Sequence, residues 1–134
     1  EVPQLQTIAD RIVRSTNSAK KIREIITDPQ RSELVTITIP EAMGVLEMED
    51  LLSAVVRLGI SCHHLIINMI SPPTECGFCT AKRREQLKYV RQVKKKAKPR
   101  GYLVTELELF PREIKGLDAL TNLGQRLGGN GRRL

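Results

Sequence analysis

No apolar run in this 134-residue chain approaches the roughly 18 residues that a bilayer-spanning helix needs, so none of its helices is expected to cross a membrane. The first residues carry no basic stretch followed by an apolar one, and no signal peptide is visible. Tryptophan is absent, and aromatic residues make up 3% of the chain. No internal repeat is present. A phosphate-cradling glycine loop is also missing. The glycines between 124 and 131 lack the Gly-x-x-x-x-Gly-Lys-[Ser/Thr] spacing and a preceding strand. A nucleotide bound here would therefore have its phosphates held by other sequence. Hydrophobic residues at 40% and charged residues at 28% exclude a disordered, collagen-like or low-complexity chain.

The formal charge is +7, which at face value suggests a polyanionic partner. Its distribution changes that. Between Lys82 and Arg100 there are ten Lys/Arg and one acid, Glu85, for a local charge of +9, and the remainder of the chain carries −2. The excess lies in one predicted helix. Tyr89 is the only aromatic in that run, so it offers no platform for stacking single-stranded bases. A solvated helix face or contact with an acidic partner surface accounts for it as well as nucleic acid does, and nucleic acid is the less favoured partner.

Leu5, Ile8, Ala9, Ile12 and Val13, then Ala19, Ile22, Ile25 and Ile26, recur at helical spacing and predict an amphipathic helix over 4–27, disturbed at Asn17-Ser18 and ended by Asp28-Pro29. The β-branched stretch Leu34 to Ile39 predicts a buried strand stopped by Pro40. Pro40-Glu41 opens a helix with Val45, Met48, Leu52 and Val55 as its apolar stripe and Gly59 as its left-handed stop. Leu65 to Ile70 predicts a second buried strand. Cys79 to Ala97 predicts a helix with Leu87, Val90, Val93 and Ala97 on one side. Tyr102 to Leu107 predicts a third strand, and 114–127 a last helix.

Strands alternating with helices imply βαβ crossovers and an α/β fold with a partial parallel sheet of about three strands and flanking helices. The chain divides into an N-terminal helix (1–28), an α/β portion (29–127) and a loose, glycine-rich tail (128–134). Three strands make a thin sheet, and the sequence begins at Glu1 without Met. Both features lead to the expectation of a segment of a larger protein.

In open parallel sheets, ligands bind beyond the carboxyl ends of the strands. Glu41, Asn68 and the segment Leu109-Phe110-Pro111-Arg112 stand at such ends. An amide can read the edge of a ring such as adenine, and it can equally satisfy a loop backbone. Glu41 is either a ligand contact or only a helix-start charge. Cys76-Gly77-Phe78-Cys79 places two thiols at zinc-ligand spacing. Cys62, His63 and His64 precede a six-residue strand that separates them from the pair by roughly 20 Å, so they are poor candidates to complete a four-ligand site. The simplest completion is a second copy of the pair across a two-fold axis. A redox dithiol and two inert thiols are the alternatives. Cys62 reads as a small buried hydrophobe, and His63 and His64 as capping a strand edge.

The residues come in an order that resembles a known family. Thr38-Ile39-Pro40-Glu41-Ala42-Met43, Glu47 to Leu52, Ile66-Ile67-Asn68-Met69, Cys76-x-x-Cys79 with Lys82-Arg83-Arg84-Glu85-Gln86-x-x-Tyr89, and Glu113-Ile114-x-Gly116-Leu117-x-Ala119-Leu120 are similar to the C-terminal part of the arsenical pump-driving ATPases and of the related ATPases that target tail-anchored membrane proteins. The resemblance runs from about residue 20 to 127. It implies a deviant-Walker P-loop hydrolase that works as a cytoplasmic homodimer on ATP with Mg. Glu41 and Asn68 match nucleotide-contacting positions, with Asn68 on adenine. The loop 108–115 (Glu108, Leu109, Phe110 and Pro111 at its start) matches the lining of the adenine pocket, although Glu108 stands where the family often has Pro. Cys76 and Cys79 match the pair that shares an interfacial zinc with its mate. The P-loop, the switch regions and the catalytic Asp belong to an N-terminal half outside this sequence, so the segment alone is expected to be inactive. The implied client is a membrane protein, or the partner a pump subunit. The competing expectation is a stand-alone Cys-x-x-Cys module, acting as a basic binder or as a thiol redox protein.

Overall fold

Short β-branched and aliphatic stretches, each closed by a Pro or a Gly turn, alternate with helical stripes, and the chain folds accordingly. The computed structural model describes residues 2–128, with side chains from Gln6 onward. Its elements are α1 (Val2–Thr27), β1 (Val35–Thr38), α2 (Ala42–Leu58), β2 (His64–Ile70), α3 (Gly77–Ala97), β3 (Leu103–Glu108) and α4 (Gly116–Gly128). The three strands form one parallel sheet in the order β1-β2-β3, with Thr38 opposite Ile67 and Ile67 opposite Glu106. The α/β class, the strand number and the parallel direction are as the sequence predicts.

The core lies between one face of the sheet and the helices α2 and α3. Val45, Met48, Leu52 and Val55 form the α2 stripe, and Val90, Val93 and Ala97 that of α3. They close over Leu65, Ile67 and Ile70, and Ile67 and Val93 retain no exposed surface. Thr36 and Thr38 point into the same layer. Thr38 Oγ1 donates to the Gly44 carbonyl (2.8 Å), and Thr36 Oγ1 lies 3.5 Å from the Cys62 sulfur. These partners make buried hydroxyls tolerable. Gly59 ends α2 in the left-handed conformation (φ 69°) and returns its N–H to the Val55 and Val56 carbonyls.

Three expectations change. The first strand is not buried on both sides. Val35 and Ile37 face away from the core, and Ile37 is 62% exposed. A parallel strand reads as a continuous apolar run because such sheets are usually covered twice; here α2 and α3 cover one face only. Secondly, α1 runs unbroken through Asn17-Ser18. Its Ile8, Ile12, Val13 and Ile22 are exposed. Thirdly, Gly128 belongs to α4, and the rest of the expected tail, 129–134, lies outside the described residues.

Gly44 allows the first turn of α2 to sit against the end of β1. A Cβ there would stand 2.7 Å from the Ile39 carbonyl oxygen and 3.1 Å from Thr38 Oγ1. Alanine is intrinsically the better helix former by about 1 kcal/mol, yet Gly44→Ala is expected to destabilise by about 1–3 kcal/mol through this backbone clash. Urea unfolding followed by circular dichroism reads the sign directly; a gain in stability would show that the close approach is not required.

Candidate functional site at the carboxyl edge of the sheet

Each strand delivers one candidate residue or segment to the same edge. After β1, Ile39-Pro40 leads to Glu41, the exposed N-cap residue of α2, in extended conformation (φ −136°, ψ 158°). Its side chain makes no capping hydrogen bond. The carboxylate therefore lies free at the positive end of a 17-residue helix.

Asn68 stands late in β2, half-buried, where regular pairing breaks. The β2–β3 register is regular through Ile67↔Glu106 and resumes, shifted, at Ile70↔Glu108. Within this bulge Met69 adopts φ 61°, the only positive φ at a non-glycine among the described residues. Asn68 Oδ1 accepts the Met69 N–H at 2.8 Å. Gln86 of α3 reaches the same turn. Its Nε2 donates to the Met69 carbonyl (3.0 Å), and its Oε1 accepts the Ser71 N–H (2.8 Å).

At the end of β3, Glu108 accepts a hydrogen bond from Arg83 (3.2 Å), and Arg83 also donates to the Ser71 carbonyl. Leu109 ties its N–H to the Ile70 carbonyl (2.8 Å). Phe110 is half-buried with the Arg126 guanidinium 4.7 Å from its ring centre, and Pro111 is exposed. Two cavities flank this segment. One of about 510 Å³ is lined by Ile70, Arg83, Leu107, Glu108 and Arg126 among others, and one of about 420 Å³ lies between Phe110–Ile114 and α4. Neither is lined by Glu41 or Asn68. The sheet thus places the three candidates along one edge, about 5 Å per strand step, without closing them into a single pocket.

Cys76 is the N-cap residue of α3 and Cys79 lies in its first turn. Both are free thiols; Cys76 is exposed and Cys79 half-buried. Thr74 fixes the approach: its hydroxyl accepts the Cys76 N–H (3.2 Å), and its carbonyl accepts the Thr80 hydroxyl (2.9 Å). The Cys79 backbone N–H, the Cys79 thiol and the Phe78 N–H together hold the Cys76 thiol below its usual range, while the hydrogen-bonded Cys76 sulfur raises Cys79. The first proton of the pair thus leaves from Cys76, which favours a thiolate able to bind a soft cation. Among the described residues no cluster of three or more His, Cys, Asp or Glu could hold a metal ion. The pair fits zinc as two of four ligands.

The opposite edge carries the other singled-out residues. Cys62 is buried against Thr36. Glu33 accepts the His63 N–H (2.9 Å) and pairs with His64 Nδ1 (2.8 Å), and the His64 hydrogen bond is the main cause that lowers its carboxyl below the ordinary range. The basic helix is partly neutralised within the fold. Lys88 pairs with Glu85, Lys94 with Glu106, Lys96 with Glu49 and Arg83 with Glu108. Tyr89 is half-buried against the core. Arg83 and Gln86 are the site residues that composition and spacing do not single out individually. Both lie in a run that composition and periodicity read as basic and helical, within a stretch that also carries the family resemblance.

A parallel α/β sheet with crossover helices on one face and polar side chains at the carboxyl ends of its strands is consistent with a segment of a P-loop nucleotide-hydrolase fold. The family itself follows from similarity. Residues 3–129 match the model of the anion-transporting ATPases, and the chain belongs to that family. It is 30% identical over 118 residues to "ATPase GET3B" of Arabidopsis thaliana, covering 87% of this chain and 29% of that protein. To the "ATPase ASNA1 homolog" of Dictyostelium discoideum it is 28% identical over 119 residues, covering 88% and 36%. To "ATPase GET3" of Chaetomium globosum it is 25% identical over 132 residues, covering 94% and 38%. The chain spans about a third of the length of these curated relatives.

Proposed function

We propose that this chain is the C-terminal segment of a cytoplasmic ATP-dependent transport or targeting ATPase, where it supplies adenine contacts and half of a zinc-linked homodimer seam. What supports this is the family match over residues 3–129 on a sheet whose carboxyl edge carries Glu41, Asn68 and Glu108 to Pro111. Asn68 reads the adenine edge, Glu41 contacts the nucleotide, and the segment from Glu108 to Pro111 lines the base pocket. ATP brings Mg with it, and an N-terminal P-loop half holds both the phosphates and the hydrolytic residues. Cys76 and Cys79 bind zinc together with the same pair of a second copy. Phe78, 79% exposed between them, is the apolar contact expected at such a seam. The exposed aliphatic residues of α1, within 1–28, form the edge of a client-binding region for a membrane protein, or the contact for a pump subunit.

The purified 134 residues are expected to release no phosphate from ATP at the level of an intact ATPase. No Walker glycine loop is present to hold the phosphates, and positioning and electrostatic stabilisation of the transferred group supply nearly all of this catalysis. A phosphate-release assay checks this. Turnover comparable with an intact ATPase would replace the proposal with a self-sufficient enzyme.

A further inference from the structure

We infer that Gln86 and the left-handed turn at Met69 position the amide of Asn68, and that this orientation sets the preference for adenine over guanine. The inference rests on the adenine role proposed for Asn68 and extends it to residues that would not touch the base.

The bulge after Ile67 requires Met69 at φ 61°, a conformation that crowds Cβ against the backbone in any residue but glycine. Two side chains hold it. Asn68 ties the Met69 N–H on one side, and Gln86 ties the Met69 carbonyl and the Ser71 N–H on the other. Gln86 is only 5% exposed, and both ends of its amide are spent on this turn. Arg83, one turn earlier in α3, holds the Ser71 carbonyl. A buried amide used in this way ties α3 to one backbone turn.

The consequence falls on Asn68. Its Oδ1 faces a backbone N–H, so a flipped amide would set two donors against each other, and the flip is excluded. Nδ2 is left as a donor, beside an oxygen that retains one lone pair. Adenine offers the complement: an exocyclic amine that donates next to a ring nitrogen that accepts. Guanine carries a carbonyl oxygen in place of that amine and would meet Oδ1 oxygen to oxygen. Base preference therefore follows from the direction of the Met69 N–H. That direction follows from the positive φ, and Gln86 holds the positive φ in place.

The test compares kcat/KM for ATP and for GTP in the intact ATPase that contains these residues. Asn68→Ala and Gln86→Met are each expected to lower the ATP-over-GTP ratio about tenfold, the latter through KM for ATP rather than kcat. Should Gln86→Met fail to fold, the half-exposed position 69 carries the test. Met69→Ile, β-branched and strongly disfavoured at positive φ, lowers the ratio, and Met69→Gly keeps it. A ratio unchanged in Gln86→Met and in Met69→Ile, with Asn68→Ala lowered, overturns the positioning role. A ratio unchanged in Asn68→Ala overturns instead the adenine role on which it rests.

Discussion

Cys76→Ser is expected to remove zinc and dimerisation in one step. The unsubstituted chain, purified under reducing conditions, should carry about one zinc per two chains, because one Cys-x-x-Cys pair supplies two thiolates and tetrahedral zinc takes four ligands. Cys76 is the thiol that ionises first, through the Cys79 and Phe78 backbone N–H groups at the start of α3. Serine at this position keeps the N-cap but cannot become a thiolate at neutral pH. Structural zinc binds with about 10–16 kcal/mol in small domains, so the loss of two of four ligands leaves the seam without its main linkage. Elemental analysis together with sedimentation reads both quantities. Metal-free monomers of the unsubstituted chain would sink the dimer-zinc proposal. A metal-free pair that reduced insulin disulfides would put a thiol redox protein in its place.

Ile67→Ala is expected to cost about 3–4 kcal/mol, and Ile37→Ala less than about 1 kcal/mol. The two isoleucines occupy neighbouring parallel strands, almost in register, since Thr38 pairs with Ile67 and Ile37 with Ile66. They face opposite sides. Ile67 has no exposed surface and lies beneath α2 and α3 in the core with Val45, Leu65 and Val93, so truncation leaves a cavity in a layer that cannot easily collapse. Ile37 is 62% exposed. Domains are stable by only about 5–15 kcal/mol, so the first change should move the urea midpoint far and the second hardly at all. Equal costs would mean that the outer face of β1 is covered in solution.

The same pair shows where sequence reading stops. Ile37 and Ile67 both stand in short β-branched or aliphatic runs and both read as buried. Alternation along a strand separates the two faces, but only the placement of α2 and α3 decides which face is covered. The α1 helix behaves alike: its stripe is legible, and the exposure of Ile8, Ile12, Val13 and Ile22 is not. Gly59 and the Val45–Val55 stripe are local signals, each complete within a few residues, and both read correctly. Gln86 carried no such signal. Its backbone partners at Met69 and Ser71 are 15 to 17 residues away, and an amide among lysines and arginines reads as solvent-facing.

By itself the sequence determined the order of elements, the parallel α/β class, the concentration of the excess positive charge in α3 and the spacing of the Cys-x-x-Cys pair. These depend on periodicity, turn chemistry and spacing, which act over a few residues. Only the tertiary structure decided that the basic helix is neutralised in part by Glu49, Glu106 and Glu108, that Glu33 reaches across to His64, and that Met69 is held left-handed by Gln86. Each of these is a contact between segments distant in the chain. Hydrogen bonds and ion pairs of that kind form when packing brings the partners within about 3 Å, a distance that no local pattern encodes.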